Sequence, residues 1–137
     1  MTATPTYGLS IDLARPFDAT VDAPRAALAA EGFGVLMEAD LRATFQKKLG
    51  VDSPPYVILG ACSPAHAREA LTVDPDLGLL LPCNVIVRRD EHLGTTHVAV
   101  IDPVVALGVA AQPALEPVAR VIREKLVRVL AALETTP

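Results

Sequence analysis

The distribution of apolar and polar positions predicts five β-strands. Residues 7–13, YGLSIDL, alternate with a period of two, as a strand with one buried face does. Residues 56–61 are almost continuously apolar, which is typical of a strand buried on both faces or covered by a helix. The other predicted strands are residues 33–39, 83–88 and 95–101, the last two joined by a polar hairpin at residues 89–94.

Capping residues predict the helices between these strands. Ser63 and Pro64 are expected to start one helix, with Ser63 as N-cap and Pro64 at the first helical position. A second predicted helix begins at Asp22, with Pro24 in its first turn and Gly32 after its end, and a third begins at Asp40 and ends before Gly50. A short one begins at Asp102. The longest runs from residue 115 to residue 133 along a single apolar stripe.

This order of elements favours one α+β domain. Strands and helices do not alternate regularly enough for a doubly wound sheet, so we predict a mainly antiparallel sheet backed by helices. The domain is expected to span residues 1–137 with an ordered core at about 6–133 and a C-terminus that frays from Glu134. Pro82 lacks an N–H group and is predicted at the first residue of a strand or at a bulge.

Composition excludes several classes of protein. Of the 137 residues, 51% are apolar and 20% are charged, which excludes intrinsic disorder. The net charge of −4 gives no electrostatic reason to expect nucleic acid or an anionic membrane as partner. No apolar run approaches the ~20 residues of a membrane span, and the first residues do not resemble a signal peptide. We therefore expect a cytoplasmic protein with reduced cysteines.

Three segments resemble a known family: EGFGVLMEADLRATFQKKLG, YVILGACSPAHAREAL and LGLLLPCNVIV. They are similar to the bacterial and archaeal domain of unknown function family 302, and the resemblance extends from the first strand to Leu133. It implies a fold similar to that of the TATA-box-binding protein, with a curved, mainly antiparallel sheet backed by helices. It also implies cytosolic homodimers. Because the family has no established activity, the resemblance leaves the function open.

The two cysteines are the first candidates for chemistry. Cys62 precedes a predicted helix N-terminus, where the helix dipole can lower a thiol pKa, and Cys83 could approach it from a neighbouring strand. The alternative is that both are small core residues, since free cysteine is among the most buried residue types. A third hypothesis adds His66, one turn past Cys62, to make a soft-metal site.

A ligand site is also predicted at the start of the same helix. Gly60, Cys62 and Ser63 could present backbone N–H groups to an anion or line a small pocket. Neither a GxxxxGK[ST] nor a GxGxxG motif occurs, so we expect no nucleotide and no cofactor. His92 is interpreted as a solvated hairpin residue, and His97 as either solvent-facing or a neutral core histidine.

Three functional hypotheses follow. The first is a homodimeric small-ligand-binding or accessory protein with its pocket near Gly60, Cys62 and Ser63. The second is a thiol-dependent protein in which Cys62 reacts or carries sulfur and Cys83 supports it. The third is a purely structural or interaction dimer. The sequence does not indicate whether the protein is an enzyme.

Overall fold

The fold is organised around a five-stranded sheet in which every pair of neighbouring strands is antiparallel. The computed structural model describes residues 5–135. The spatial order of the strands is β1-β5-β4-β3-β2. The second to fifth strands form a meander, and the first strand pairs with the fifth at one edge of the sheet. They are β1 (Gly8–Leu13), β2 (Gly34–Asp40), β3 (Tyr56–Cys62), β4 (Cys83–Asp90) and β5 (Thr95–Ile101). The predicted α+β fold is confirmed.

The helices lie close to their predicted positions. They are α1 (Phe17–Thr20), α2 (Ala23–Ala30), α3 (Leu41–Leu49), α4 (Pro64–Val73), α5 (Pro103–Gly108) and α6 (Glu116–Thr135), with 3-10 turns at Pro75–Leu80 and Pro113–Leu115. The short helix α1 was not predicted. It ends with the Thr20 hydroxyl donating to the Pro16 carbonyl oxygen. Helix α6 continues to Thr135, two residues past its predicted end, and residues 136 and 137, which were expected to fray, lie outside the described part of the chain.

Local sequence signals account for several of these boundaries. The Asp40 carboxylate accepts a hydrogen bond from the Ala43 N–H at 2.9 Å and so caps α3. Gly50 ends the same helix with a φ of 66°, a left-handed conformation that glycine adopts without a steric penalty. Pro24 falls in the first turn of α2, as predicted. Pro82 lies immediately before β4, so it stays outside the regular ladder.

One face of the sheet forms the hydrophobic core. Alternate residues of β1, β3, β4 and β5 point to this face and pack with the apolar stripe of α6. Its fully buried members include Ile11, Leu59, Val85, Val98 and Leu126. The intervening residues form what we call the second face, where Ile58, Ile86 and Ala99 lie outside the core cluster. Within residues 5–135, no helix combines the length and hydropathy of a membrane span.

Candidate functional site

The corner between β3 and α4 has the predicted geometry, but the N-cap residue makes no capping hydrogen bond with its side chain. Cys62 is the last residue of β3, and Pro64 starts α4. Ser63 occupies the N-cap position, yet its hydroxyl makes no capping hydrogen bond and instead lies 2.8 Å from Nδ1 of His66. The side chain of His66 is thus held back against the start of its own helix.

The metal hypothesis is not supported by this arrangement. No group of three or more His, Cys, Asp or Glu side chains within residues 5–135 is placed to hold a metal ion. Cys62, His66 and Cys83 therefore do not form the soft-metal site that their sequence positions suggested. The side chain of His66 is held back towards Ser63 at the start of α4, and Cys83 lies in the core.

The two thiols are free and line one small cavity. Cys83 is only 8% exposed, and burial, with a smaller contribution from Cys62, raises the pKa of its thiol to about 11. Cys62 is partly exposed. The cavity, which Ser63 also lines, has a volume of about 10 Å³. That volume holds no more than about one water molecule.

Gly60 is closely approached from the second face. A Cβ atom at this position would lie 2.8 Å from Cγ of Pro82 and 3.4 Å from Cε of Met37. Pro82 and Met37 therefore fill the space that a side chain would take. A glycine at position 60 therefore allows Pro82 to pack closely against the sheet.

Three carboxylates on or near β2 and β5 have structural partners. Asp102 caps α5 through the Val104 N–H and also accepts from Arg123. Glu31 pairs with Arg128, and Glu38 pairs with Arg25.

Sequence reasoning did not predict a polar row that crosses the second face. Asp12 of β1 lies opposite His97 of β5, which lies opposite Arg88 of β4, which in turn lies opposite Tyr56 of β3. We call these four residues the polar row. His97 Nδ1 donates to Asp12 Oδ1 at 2.6 Å, with only 10% and 13% of the two side chains exposed. His97 is thus buried and not solvent-facing, and its ring is paired with Asp12. His92, as expected, is exposed in the hairpin.

Two larger concavities lie elsewhere. The first, which we call the α5–α6 cleft, has a volume of about 370 Å³ and is mainly apolar. It is lined by Val104, Leu107, Gly108, Ala111, Gln112, Pro113, Leu115, Glu116 and Ala119. The second, of about 430 Å³, is polar, and its charged groups pair with one another, Arg42 with Asp52 and Arg89 with Glu91.

Comparison with known proteins agrees with the fold. A crystal structure of an uncharacterized conserved protein DUF302 from Bacillus stearothermophilus is 30% identical in sequence and superposes with a TM-score of 0.84. The similarity covers 93% of this chain and 98% of that one. No curated protein matches the sequence. The sequence model of the domain of unknown function DUF302 matches residues 9–133, and the chain therefore belongs to the DUF302 family.

Proposed function

We propose that this domain is a small-ligand-binding protein that acts as a homodimer, with its ligand in the α5–α6 cleft. The observation that carries the proposal is the cleft itself, whose volume of about 370 Å³ falls within the ~300–1,000 Å³ of typical ligand sites. The cavity beside Cys62 and Ser63, at about 10 Å³, is too small for such a ligand. The ligand is therefore assigned to the cleft and not to the corner at Gly60.

The lining of the cleft indicates the kind of ligand. Leu107, Leu115 and Ala119 form a buried apolar floor. The carboxylate of Glu116 already accepts two hydrogen bonds from Arg120, so the amide of Gln112 is the polar group better placed to orient a ligand. These features fit a small, largely apolar molecule that carries one or two polar atoms.

The homodimer is proposed from the apolar surface of β2 and α3. Leu36 and Leu49 are 63% and 68% exposed, and Met37, Phe45 and Val51 are exposed beside them in the chain. We call these five residues the apolar arm. Other large apolar residues, among them Leu79 and Val109, are also exposed, but β2, α3 and the residue after Gly50 carry these five close together along the chain.

A second copy is the occupant that best fits the arm. Strand β2 is an edge of the sheet, so one side of its backbone is available for pairing. Two β2 strands related by a twofold axis pair antiparallel, as the other strands of this sheet do, and place the two apolar arms together. Lys47 and Lys48 of α3 lie beside the arm, whereas Glu38 of β2 pairs with Arg25 and Asp40 caps α3. The contact between the two copies would therefore rest on the apolar residues.

The thiol-dependent alternative has less support. It requires Cys83 to assist Cys62, and a buried thiol whose pKa is about 11 supplies very little thiolate at neutral pH. Two free cysteines are compatible with a reducing compartment, and we propose that the protein is cytosolic.

A thermal-shift screen of small metabolites tests the ligand proposal. A ligand at about 100 times its Kd should stabilise the protein by about 2.7 kcal/mol, which raises Tm by several degrees. The variant Gly108→Leu should abolish the shift, because Gly108 lines the cleft and an added Cβ meets no atom within 4 Å.

Gly78→Leu is the matched control. Gly78 also has open space around its Cβ position but lies outside the cleft, in the 3-10 turn Pro75–Leu80. This variant should retain the ligand-induced shift. A ligand whose effect survives Gly108→Leu would contradict the site, and a dimer that responds to no metabolite would favour a structural role.

A further inference from the structure

The polar row has the geometry of a built hydrogen-bonding site. Its four members lie on four neighbouring strands of the sheet, each residue directly opposite the next. Neighbouring strands lie about 4.8 Å apart, so three adjacent positions of the row span roughly 10 Å. Side chains directly opposite one another on the same face are close enough to act on one small ligand.

Asp12 fixes the orientation of the His97 ring. Its carboxylate accepts the Nδ1–H proton at 2.6 Å, which leaves Nε2 as the atom that can bind something else. Within residues 5–135, no hydrogen-bond partner is present for Nε2. A histidine held in this way presents a positioned donor when it is protonated and a positioned acceptor when it is neutral.

Arg88 places a positive charge next to this ring. Within residues 5–135 its guanidinium forms no hydrogen bond or ion pair, and its charge acts on the Asp90 carboxylate from a distance. The nearest acid along its strand is Asp90, whose carboxylate accepts the N–H groups of Leu93 and His92 in the hairpin. These hydrogen bonds, that of Leu93 first, lower the pKa of Asp90, with a further contribution from Arg88. The Asp90 carboxylate thus stabilises the hairpin turn.

A buried hydroxyl beside the row is an independent sign of a missing partner. Thr95 lies two residues before His97 on β5 and opposite Asp90. Its Oγ1 atom is buried and has no hydrogen-bond partner within residues 5–135. A buried hydroxyl without a partner is costly, so a ligand atom that accepted its hydrogen bond would remove that cost.

We infer that the second face holds a binding site for a small oxyanion, a phosphate or carboxylate group, contacted by Arg88, His97 Nε2, Thr95 and the hydroxyl of Tyr56. Charge-assisted hydrogen bonds from a guanidinium and an imidazole are the usual means of holding such a group. The next positions on the same face are Ala99, Ile86 and Ile58. An apolar group attached to the oxyanion would contact this part of the second face. This site is separate from the α5–α6 cleft and does not depend on it.

Nuclear magnetic resonance of the His97 ring tests the inference. Inorganic phosphate, phenyl phosphate and benzoate are titrated into the full chain while the ring resonances of the histidines are followed. The His97 resonance is identified by its loss in His97→Gln, and the exposed ring of His92 serves as an internal reference. We expect a saturable shift at His97, with tighter binding of phenyl phosphate than of inorganic phosphate. A response to the phosphates alone or to benzoate alone identifies the class of oxyanion.

Matched variants assign the contacts. Arg88→Gln should weaken binding by roughly tenfold or more, since it removes a charge-assisted contact. Arg89→Gln, the neighbouring arginine on the opposite side of β4, should leave affinity at His97 unchanged. Thr95→Val retains the shape of the side chain and should keep or raise Tm while it weakens binding several-fold. No saturable shift at His97 with any probe, or an equal loss in Arg88→Gln and Arg89→Gln, would overturn the inference.

Discussion

At the scale of single residues, different surroundings give two identical side chains different chemical properties. The two cysteines lie at the two ends of a short segment, yet Cys62 is partly exposed at the end of β3 while Cys83 is buried at the start of β4. Burial disfavours the charged thiolate and raises the pKa of Cys83 to about 11. Reactivity therefore differs even though the chemical group is the same.

Alkylation measures this difference directly. Iodoacetamide at neutral pH should label Cys62 faster than Cys83 in the native protein, because only Cys62 is accessible and the thiolate of Cys83 is scarce. Labelling of Cys83 should accelerate as the pH rises towards about 11, where its thiolate forms. Mass spectrometry of peptides gives both rates, and Cys62→Ser should lose the fast phase and keep its fold. Equally slow labelling of the two cysteines would rule out the thiol hypothesis.

Gly60 is predicted to be intolerant of any side chain. Gly60→Ala would place a Cβ atom 2.8 Å from the Pro82 ring, so the ring or the strand must move. We expect destabilisation of about 1–3 kcal/mol, the usual cost of overpacking, measured by urea denaturation. The control is Gly34→Ala, also on a strand, where an added Cβ meets no atom within 4 Å and the free energy of unfolding should change by less than about 0.5 kcal/mol. Similar effects of the two variants would contradict the close-approach argument.

At the scale of elements, α3 differs from the other long helices. It has nine residues and none of them is buried, whereas α6 buries a complete apolar stripe. Capping by Asp40 and termination at Gly50 define its ends. However, a helix of this length is only marginally stable in water without packing partners. The apolar arm is therefore expected to be covered in solution, and we propose a second copy as its cover.

Light scattering tests this assembly. The wild-type chain should be a dimer at micromolar concentration, and Leu49→Glu should shift it to monomer because a charge is then placed in the apolar contact. Leu79→Glu is the control, since Leu79 is 89% exposed but lies in the 3-10 turn Pro75–Leu80, away from the arm. A monomeric wild-type protein, or equal effects of the two variants, would refute the proposal.

At the scale of the whole molecule, the two faces of the sheet have different roles. The core face carries the alternating apolar residues of four strands and packs against the helices. The second face carries the polar row, with apolar positions beside it. The α5–α6 cleft lies where α5 meets the start of α6. The candidate sites are thus built on the rigid scaffold that the core holds in place.

The sequence by itself determined the elements and most of their ends. Period-two alternation predicted β1, the stripe of apolar residues predicted α6, and Asp40 with Gly50 marked the ends of α3. These signals are local, because they depend on which face a residue occupies and on the hydrogen bonds of a few neighbouring peptide groups. Ser63 is the N-cap of α4, as predicted, but its hydroxyl bonds to His66 instead of to a backbone N–H of the first turn.

Only the tertiary structure decided which side chains meet. Asp12 and His97 lie 85 positions apart in the chain and become neighbours through the pairing of β1 with β5. In a strand, a shift of one residue in register moves every side chain to the other face. The polar row therefore required the exact register of three strand pairs, which no local pattern encodes. The cleft likewise exists only because α5 packs beside α6, so its size could not be predicted before the helices were placed.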